Sequence, residues 1–135
     1  MPGDLLSTFR ALYEQSAIAF NEGDLDTALG GLAEDFEWHA PSEDADHTVY
    51  RGPKEVKEWF AEMRSVFDDW RMELQGFEQL SDQTVLVEHV ITGTSRGAGV
   101  PVEVQTWELW DFEGLRPVRS RQFLSREAAL AAADS

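Results

Sequence analysis

The run from Gln83 to Phe123, QTVLVEHVITGTSRGAGVPVEVQTWELWDFEGLRPVRSRQF, constrains this chain more than any other stretch. β-Branched and aromatic residues crowd Val85 to Thr94, Val102 to Phe112 and Val118 to Phe123, which is the composition of strands. Two turn segments separate them, Gly97-Ala98-Gly99 and Glu113-Gly114-Leu115-Arg116. The pattern predicts three long strands joined by two hairpins. A two-residue loop with glycine first suits a type II′ turn. Gly114-Leu115 then pairs Glu113 with Arg116, Phe112 with Pro117, Trp110 with Arg119 and Glu108 with Arg121. Pro117 falls on a non-hydrogen-bonded pair, where its missing N–H costs little. The first hairpin is less determined, with room for a loop of about three to five residues. A loop over residues 97–100 sets His89 opposite Glu108. Local rules therefore predict a line of His89, Glu108 and Arg121 across three strands, the candidate catalytic cluster.

The N-terminal half is read from its periodicity. Leu5, Leu6, Phe9, Leu12, Tyr13, Ala17 and Phe20 recur at helical spacing behind Asp4, a good N-cap. Asn21-Glu22-Gly23 ends that helix, and Asp24 caps a second one expected to run through Leu32. Its Gly30-Gly31 pair costs roughly 1 kcal/mol per glycine, so it must lean on tertiary packing. Phe36 to Ala40 alternates like a short strand and stops at Pro41, and Thr48 to Arg51 is a second brief strand. Pro53 fits the first turn of a third helix, buried through Val56, Trp59, Phe60, Met63, Val66 and Phe67. From Trp70 the period becomes two, as in a half-buried strand. Arg126 to Ala133 is a C-terminal helix with Ser125 as its cap.

Composition excludes some functions. With 135 residues the chain is expected to form one domain over 1–135 with a real core. A formal charge of −15 argues against nucleic acid or an anionic membrane as a partner. There are no cysteines, so no thiol chemistry or disulfide is available. No signal peptide or run of transmembrane length is apparent, and a cytoplasmic protein is expected. The segment from His39 to His47 gathers two histidines and three carboxylates, but its spacing matches no metal signature. It reads as a solvated loop, so no metal and no cofactor are expected. The glycines at 97 and 99 are turn residues, lacking the strand and helix that flank a nucleotide-binding loop.

The phrases Asn21-Glu22-Gly23-Asp24-Leu25-Asp26, Glu34-Asp35-Phe36-Glu37-Trp38 before Pro41, Tyr50-Arg51-Gly52 before Val56, and Thr92-Gly93-Thr94 occur in a telling order. They resemble the SnoaL-like polyketide-cyclase branch of the nuclear transport factor 2-like superfamily, over roughly residues 5–128. The resemblance implies an α+β cone: a curved mixed or antiparallel sheet wrapped around three helices, with a short C-terminal helix. It also implies a pocket on the concave face. Ketosteroid isomerases share this fold and keep a general-base Asp just before the first-strand proline, where this chain has Ala40. Their oxyanion-hole Asp falls at Glu108. Their oxyanion-hole Tyr aligns nearer Gln15 or Ser16 than Tyr13. The last-strand position of Arg121 is pocket-facing in the family. Glu108 and Arg121 also echo the Asp–Arg–Asp relay of limonene epoxide hydrolases.

On this basis the ligand pocket is expected to involve Tyr13, Trp38, Ala40, Phe60, Val87, Trp110 and Phe123. The function expected is small-molecule binding, with isomerase, cyclase or hydrolase chemistry by acid–base catalysis on an apolar ring-containing compound. The alternative is a non-catalytic binding or dimerising module, with the cluster acting as an internal ion pair. Two further expectations concern dynamics and assembly. The Ser42–His47 loop, without large apolar residues, is expected to be mobile and to gate the pocket. Leu86, Val90, Trp107 and Leu109 have the parity opposite to Glu108 and should form an outer patch, predicting a homodimer unless the C-terminal helix covers them.

Overall fold

The structure is a computed structural model that describes residues 4–40 and 48–134. Its elements are helices α1 (Leu5–Asn21), α2 (Leu25–Leu29), α3 (Gly52–Val66) and α4 (Arg126–Ala133). The strands are β1 (Glu37–His39), β2 (Val49–Arg51), β3 (Phe67–Ser81), β4 (Thr84–Ser95), β5 (Pro101–Glu113) and β6 (Arg116–Phe123). They form one sheet in the order β2-β1-β6-β5-β4-β3. β1 runs parallel to β6 and every other pair is antiparallel. The expected α+β cone, a mixed sheet with three helices from the N-terminal half and one at the C-terminus, is the fold observed.

Local chemistry sets the helix ends. Asp4 caps α1 by accepting from the Ser7 N–H at 2.7 Å, and Ser125 caps α4 by accepting from Ala128 at 3.1 Å. α2 is shorter than expected and stops at Leu29, because Gly30-Gly31 removes side-chain contacts just where the helix would have to continue. Gly52 makes the turn from β2 into α3 at φ +76°, and a Cβ there would lie 2.8 Å from the Glu34 carbonyl oxygen. No other residue fits that position. β3 begins at Phe67, ahead of Trp70, and carries Asp69 in the left-handed region at φ +53°.

The two hairpins differ from expectation in opposite ways. The β4–β5 loop spans residues 96–99, closed by the Ser95 N–H donating to the Val100 carbonyl at 2.8 Å. His89 therefore faces Thr106, and Glu108 faces Val87. The slip is two residues, so His89 and Glu108 stay on one face as diagonal neighbours. The β5–β6 turn is as predicted, with Gly114 at φ +62° and the pairs Glu113–Arg116 and Phe112–Pro117. The register then shifts: Asp111 pairs with Arg119, leaving Val118 as an extra residue, a β-bulge. Glu108 consequently faces Gln122, and Arg121 faces Leu109. A one-residue slip exchanges the faces of all that follows.

The inner face carries the main core, in which Phe9, Tyr13, Phe36, Trp38, Val56, Val85, Val87, Trp110 and Phe112 pack together. On the outer face Leu86, Leu109 and Phe123 pack against Ala129 of α4. Leu86 and Leu109 are 1% and 0% exposed, each burial being worth about 1.5–3 kcal/mol. Arg126 ties α4 down by bridging Glu78 at 2.9 Å and Glu88 at 2.6 Å. The patch proposed as a dimer surface is thus covered within one chain: Leu86, Val90 and Leu109 are buried, and Trp107 packs against the α4 cluster.

Candidate active site

Glu108 sits at the middle of β5, and its side chain is 5% exposed. A carboxylate buried this deeply must be hydrogen-bonded, and three elements converge to do it. From α1, Tyr13 donates its hydroxyl to Oε1. From the same strand, two residues on, the Trp110 indole Nε1 donates to Oε1 at 3.3 Å. From β6, Gln122 Nε2 donates to Oε2 at 2.5 Å, and its second contact is Ser120 Oγ at 2.7 Å. Behind the carboxylate, His89 places Nε2 3.4 Å from Oε1. Neither ring nitrogen of His89 makes a hydrogen bond among the described residues, so the imidazole lies beside Glu108 without being an aligned donor to it.

These contacts set the protonation states. Burial pushes the Glu108 carboxyl up, but the His89 ring, the Tyr13 hydroxyl and the Gln122 amide outweigh it and hold the group below the ordinary carboxylate value. Burial, then the adjacent Glu108 charge, pushes the Tyr13 phenol well above its ordinary value. At neutral pH the pair is a carboxylate receiving a phenol proton in a hydrogen bond.

The Tyr13 and Glu108 side chains form part of the wall of a cavity of about 350 Å³ between the sheet and helices α1 to α3. Its apolar lining includes Phe9, Phe36, Trp38, Phe60, Trp110 and Phe112, and its mouth lies by Leu12 and Leu115, which are 59% and 55% exposed. Of the pocket residues expected from sequence, Tyr13, Trp38, Phe60 and Trp110 line the cavity, as does Glu108. Val87 and Ala40 belong to the surrounding core and do not line it. Phe123 is on the outer face against α4. His89 is close to the carboxylate but behind the wall.

Arg121 is the clearest correction. It lies on the outer face and pairs with Asp111 at 3.2 Å, beside Arg119 at 2.8 Å and the Thr84 hydroxyl at 3.0 Å from the same carboxylate. The bulge at Val118 turned it away and turned Gln122 and Ser120 inward. Those two residues escaped the sequence reading. The signal that could have found them is Pro117, since proline inside a strand run marks an edge or a bulge. Among the described residues no group of three or more His, Cys, Asp or Glu side chains is gathered to hold a metal ion. The proposed gate, Ser42–His47, lies outside the described residues. No described helix is long and apolar enough to cross a membrane.

Comparison with solved structures finds the same architecture. A candidate polyketide cyclase from Xanthomonas campestris pv. campestris shares 18% identity at a TM-score of 0.68, covering 95% of this chain and 98% of that one. The epoxide hydrolase/cyclase-like enzyme SalBIII, of pyran ring formation in the polyether salinomycin, shares 14% at 0.72, covering 90% and 93%. A nuclear transport factor 2-like protein from Burkholderia thailandensis shares 20% at 0.70, covering 93% and 95%. At these identities the likeness is one of fold. No curated protein sequence matches the chain. The SnoaL-like domain family matches residues 9–119, which run from within α1 to the first half of β6. The chain belongs to the SnoaL-like domain family.

Proposed function

We propose that the cone binds a small, largely apolar, ring-bearing molecule and carries out acid–base chemistry on it, as an isomerase, cyclase or hydrolase without a cofactor. One observation carries this reading: a buried carboxylate stands in the wall of an apolar cavity, held by donors from two strands and a helix. An apolar pocket with a few convergent polar groups and a perturbed titratable residue is the usual form of a ligand or active site. Glu108 is the proton acceptor. Tyr13 donates to it and fixes its position, and His89 stands behind it with Nε2 3.4 Å from Oε1. The polyketide-cyclase and epoxide hydrolase/cyclase-like neighbours support this chemistry.

Proton transfer at carbon is visible without knowing the net reaction. The protein is incubated in D₂O with a panel of ring-bearing ketones, epoxides and amines, and deuterium incorporation is followed by NMR. Exchange at one position, lost in Glu108→Gln, is the expected result. A panel member that binds in the cavity but never exchanges would favour the non-catalytic binding module.

A further inference from the structure

The cavity wall discriminates by charge and by hydrogen-bond role. Glu108 is the one ionisable carboxylate in the described lining, and no Lys, Arg or His lines it. Two arginines on helices that line the cavity are engaged elsewhere. Arg64 lies over the Phe20 ring at 5.1 Å and donates to the Phe20 carbonyl, and Arg10 pairs with Glu14 at 3.0 Å. A carboxylate or phosphate placed inside would meet the buried Glu108, with only His89 behind the wall beside it and no Lys or Arg in the described lining, in a chain of net charge −15.

The polar spot itself accepts more than it donates. A carboxylate has roughly four acceptor positions. Tyr13 and Trp110 occupy two on Oε1, and Gln122 occupies one on Oε2. One position on Oε2 remains. The Tyr13 proton and the Trp110 N–H are already committed to Glu108, so neither is left to donate to a ligand. A ligand that only accepts, such as a ketone, must break one of these bonds to be recognised at Glu108, and is left with the hydroxyls and amide of Thr8, Ser16, Thr27 and Gln15 elsewhere in the wall. A ligand that donates need break none. Around this spot stand the rings of Phe9, Tyr13, Phe36 and Trp110, with Phe9 and Phe36 centroids 5.1 and 5.5 Å from that of Trp110. Aromatic faces attract a cation, most strongly when it is desolvated, and a charge-assisted N–H bond to a carboxylate is about twice as strong as a neutral one.

Taking this cavity as the ligand site, we infer that its ligand is a hydrophobic organic cation, a protonated amine on a compact ring-bearing frame, whose N–H donates to Glu108 within the aromatic wall. The volume of about 350 Å³ is at the small end of the roughly 300–1,000 Å³ typical of ligand pockets, which suits one ring with a short aminoalkyl arm. Glu108 then anchors the ligand's nitrogen through the one acceptor position that the protein leaves open.

Three probes of similar size separate the alternatives: N,N-dimethylbenzylamine, phenylacetone and phenylacetate, each titrated calorimetrically into the full chain at neutral pH. The amine is expected to bind at one site per chain, at least tenfold more tightly than the ketone, with no measurable binding of phenylacetate. Glu108→Gln is expected to weaken the amine at least tenfold and to leave the ketone within about twofold. Ketone binding as tight as the amine's, or amine binding unchanged in Glu108→Gln, would overturn the inference and leave the cavity standing as a ligand site. Failure of all three probes would overturn both. If Glu108→Gln does not fold, the ranking of the three probes on the wild-type protein decides alone.

Discussion

Strand β5 carries two carboxylates three residues apart, Glu108 on the inner face and Asp111 on the outer one, and the protein treats them in opposite ways. Asp111 is balanced by charge, with Arg119 and Arg121 at 2.8 and 3.2 Å. It is partly open to solvent, at 17% side-chain exposure. Glu108 is 5% exposed, has no arginine or lysine beside it, and is held by a phenol, an indole and an amide, with His89 behind. Pairing with arginine spends a carboxylate on architecture. His89 and a ring of neutral donors outweigh burial and hold Glu108 below the ordinary carboxylate value, and three of its roughly four acceptor positions are filled. The difference sets a carboxylate in a cavity wall against one that straps strands together, and under the function proposed above the inner one meets the ligand.

The largest expected effect breaks the inner half of that comparison. Glu108→Gln should cost about 10²- to 10⁴-fold in any proton-transfer activity, the range for a general base, while Asp111→Asn should leave activity within a factor of about two. Parallel turnover or deuterium-exchange rates of the two variants check this. Next in size is Gln122→Leu. It strips Oε2 of its donor and should cost about 1–3 kcal/mol of stability, the penalty for an unmet buried acceptor, read by urea denaturation. Smaller again is Asp111→Asn on stability, about 1 kcal/mol or less, because partly exposed ion pairs are worth little. A loss as large as that of Gln122→Leu would make the outer cluster more than a strap.

How much of this could be read from sequence follows from parity. The first hairpin was misjudged by two residues, an even slip, and His89 still ended on the face of Glu108. The second hairpin had the right turn and the right first two pairs, yet a single bulged residue sent Arg121 and Phe123 outward and brought Gln122 and Ser120 inward. Capping and turn chemistry are local, which is why Ser125, Asp4 and Gly114 were legible. A bulge depends on how the whole sheet must curve around the helices, and only Pro117 hints at it. Tyr13 was legible as part of the α1 stripe, but its reach to Glu108 depends on where α1 crosses the sheet, which no local pattern states.

The smallest expected effect sharpens this point. Deleting Val118 removes the extra residue without changing the later pairs, so Arg119 still meets Asp111 and Gln122 still meets Glu108. The variant should fold and keep ligand binding close to wild type, as measured by calorimetry with whichever probe binds. Loss of binding with the fold intact would show that the bulge shapes the cavity beyond setting the register.

The most direct test of the account is the titration of Glu108 itself, followed by ¹³C NMR of its side-chain carboxyl and assigned through Glu108→Gln. Burial raises the folded-state pKa, but the His89 ring, then the Tyr13 and Gln122 donors, depress it further than burial lifts it. The stability it contributes is therefore full above the unfolded value of about 4.3 and is lost as pH falls through the lower, folded-state value. The account predicts a midpoint below that of an ordinary glutamate, with the resonance unchanged from neutral pH down to its onset. A midpoint at or above neutrality would mean that burial defeats the ring of donors, and that Glu108 meets its ligand as an acid and not as an anion.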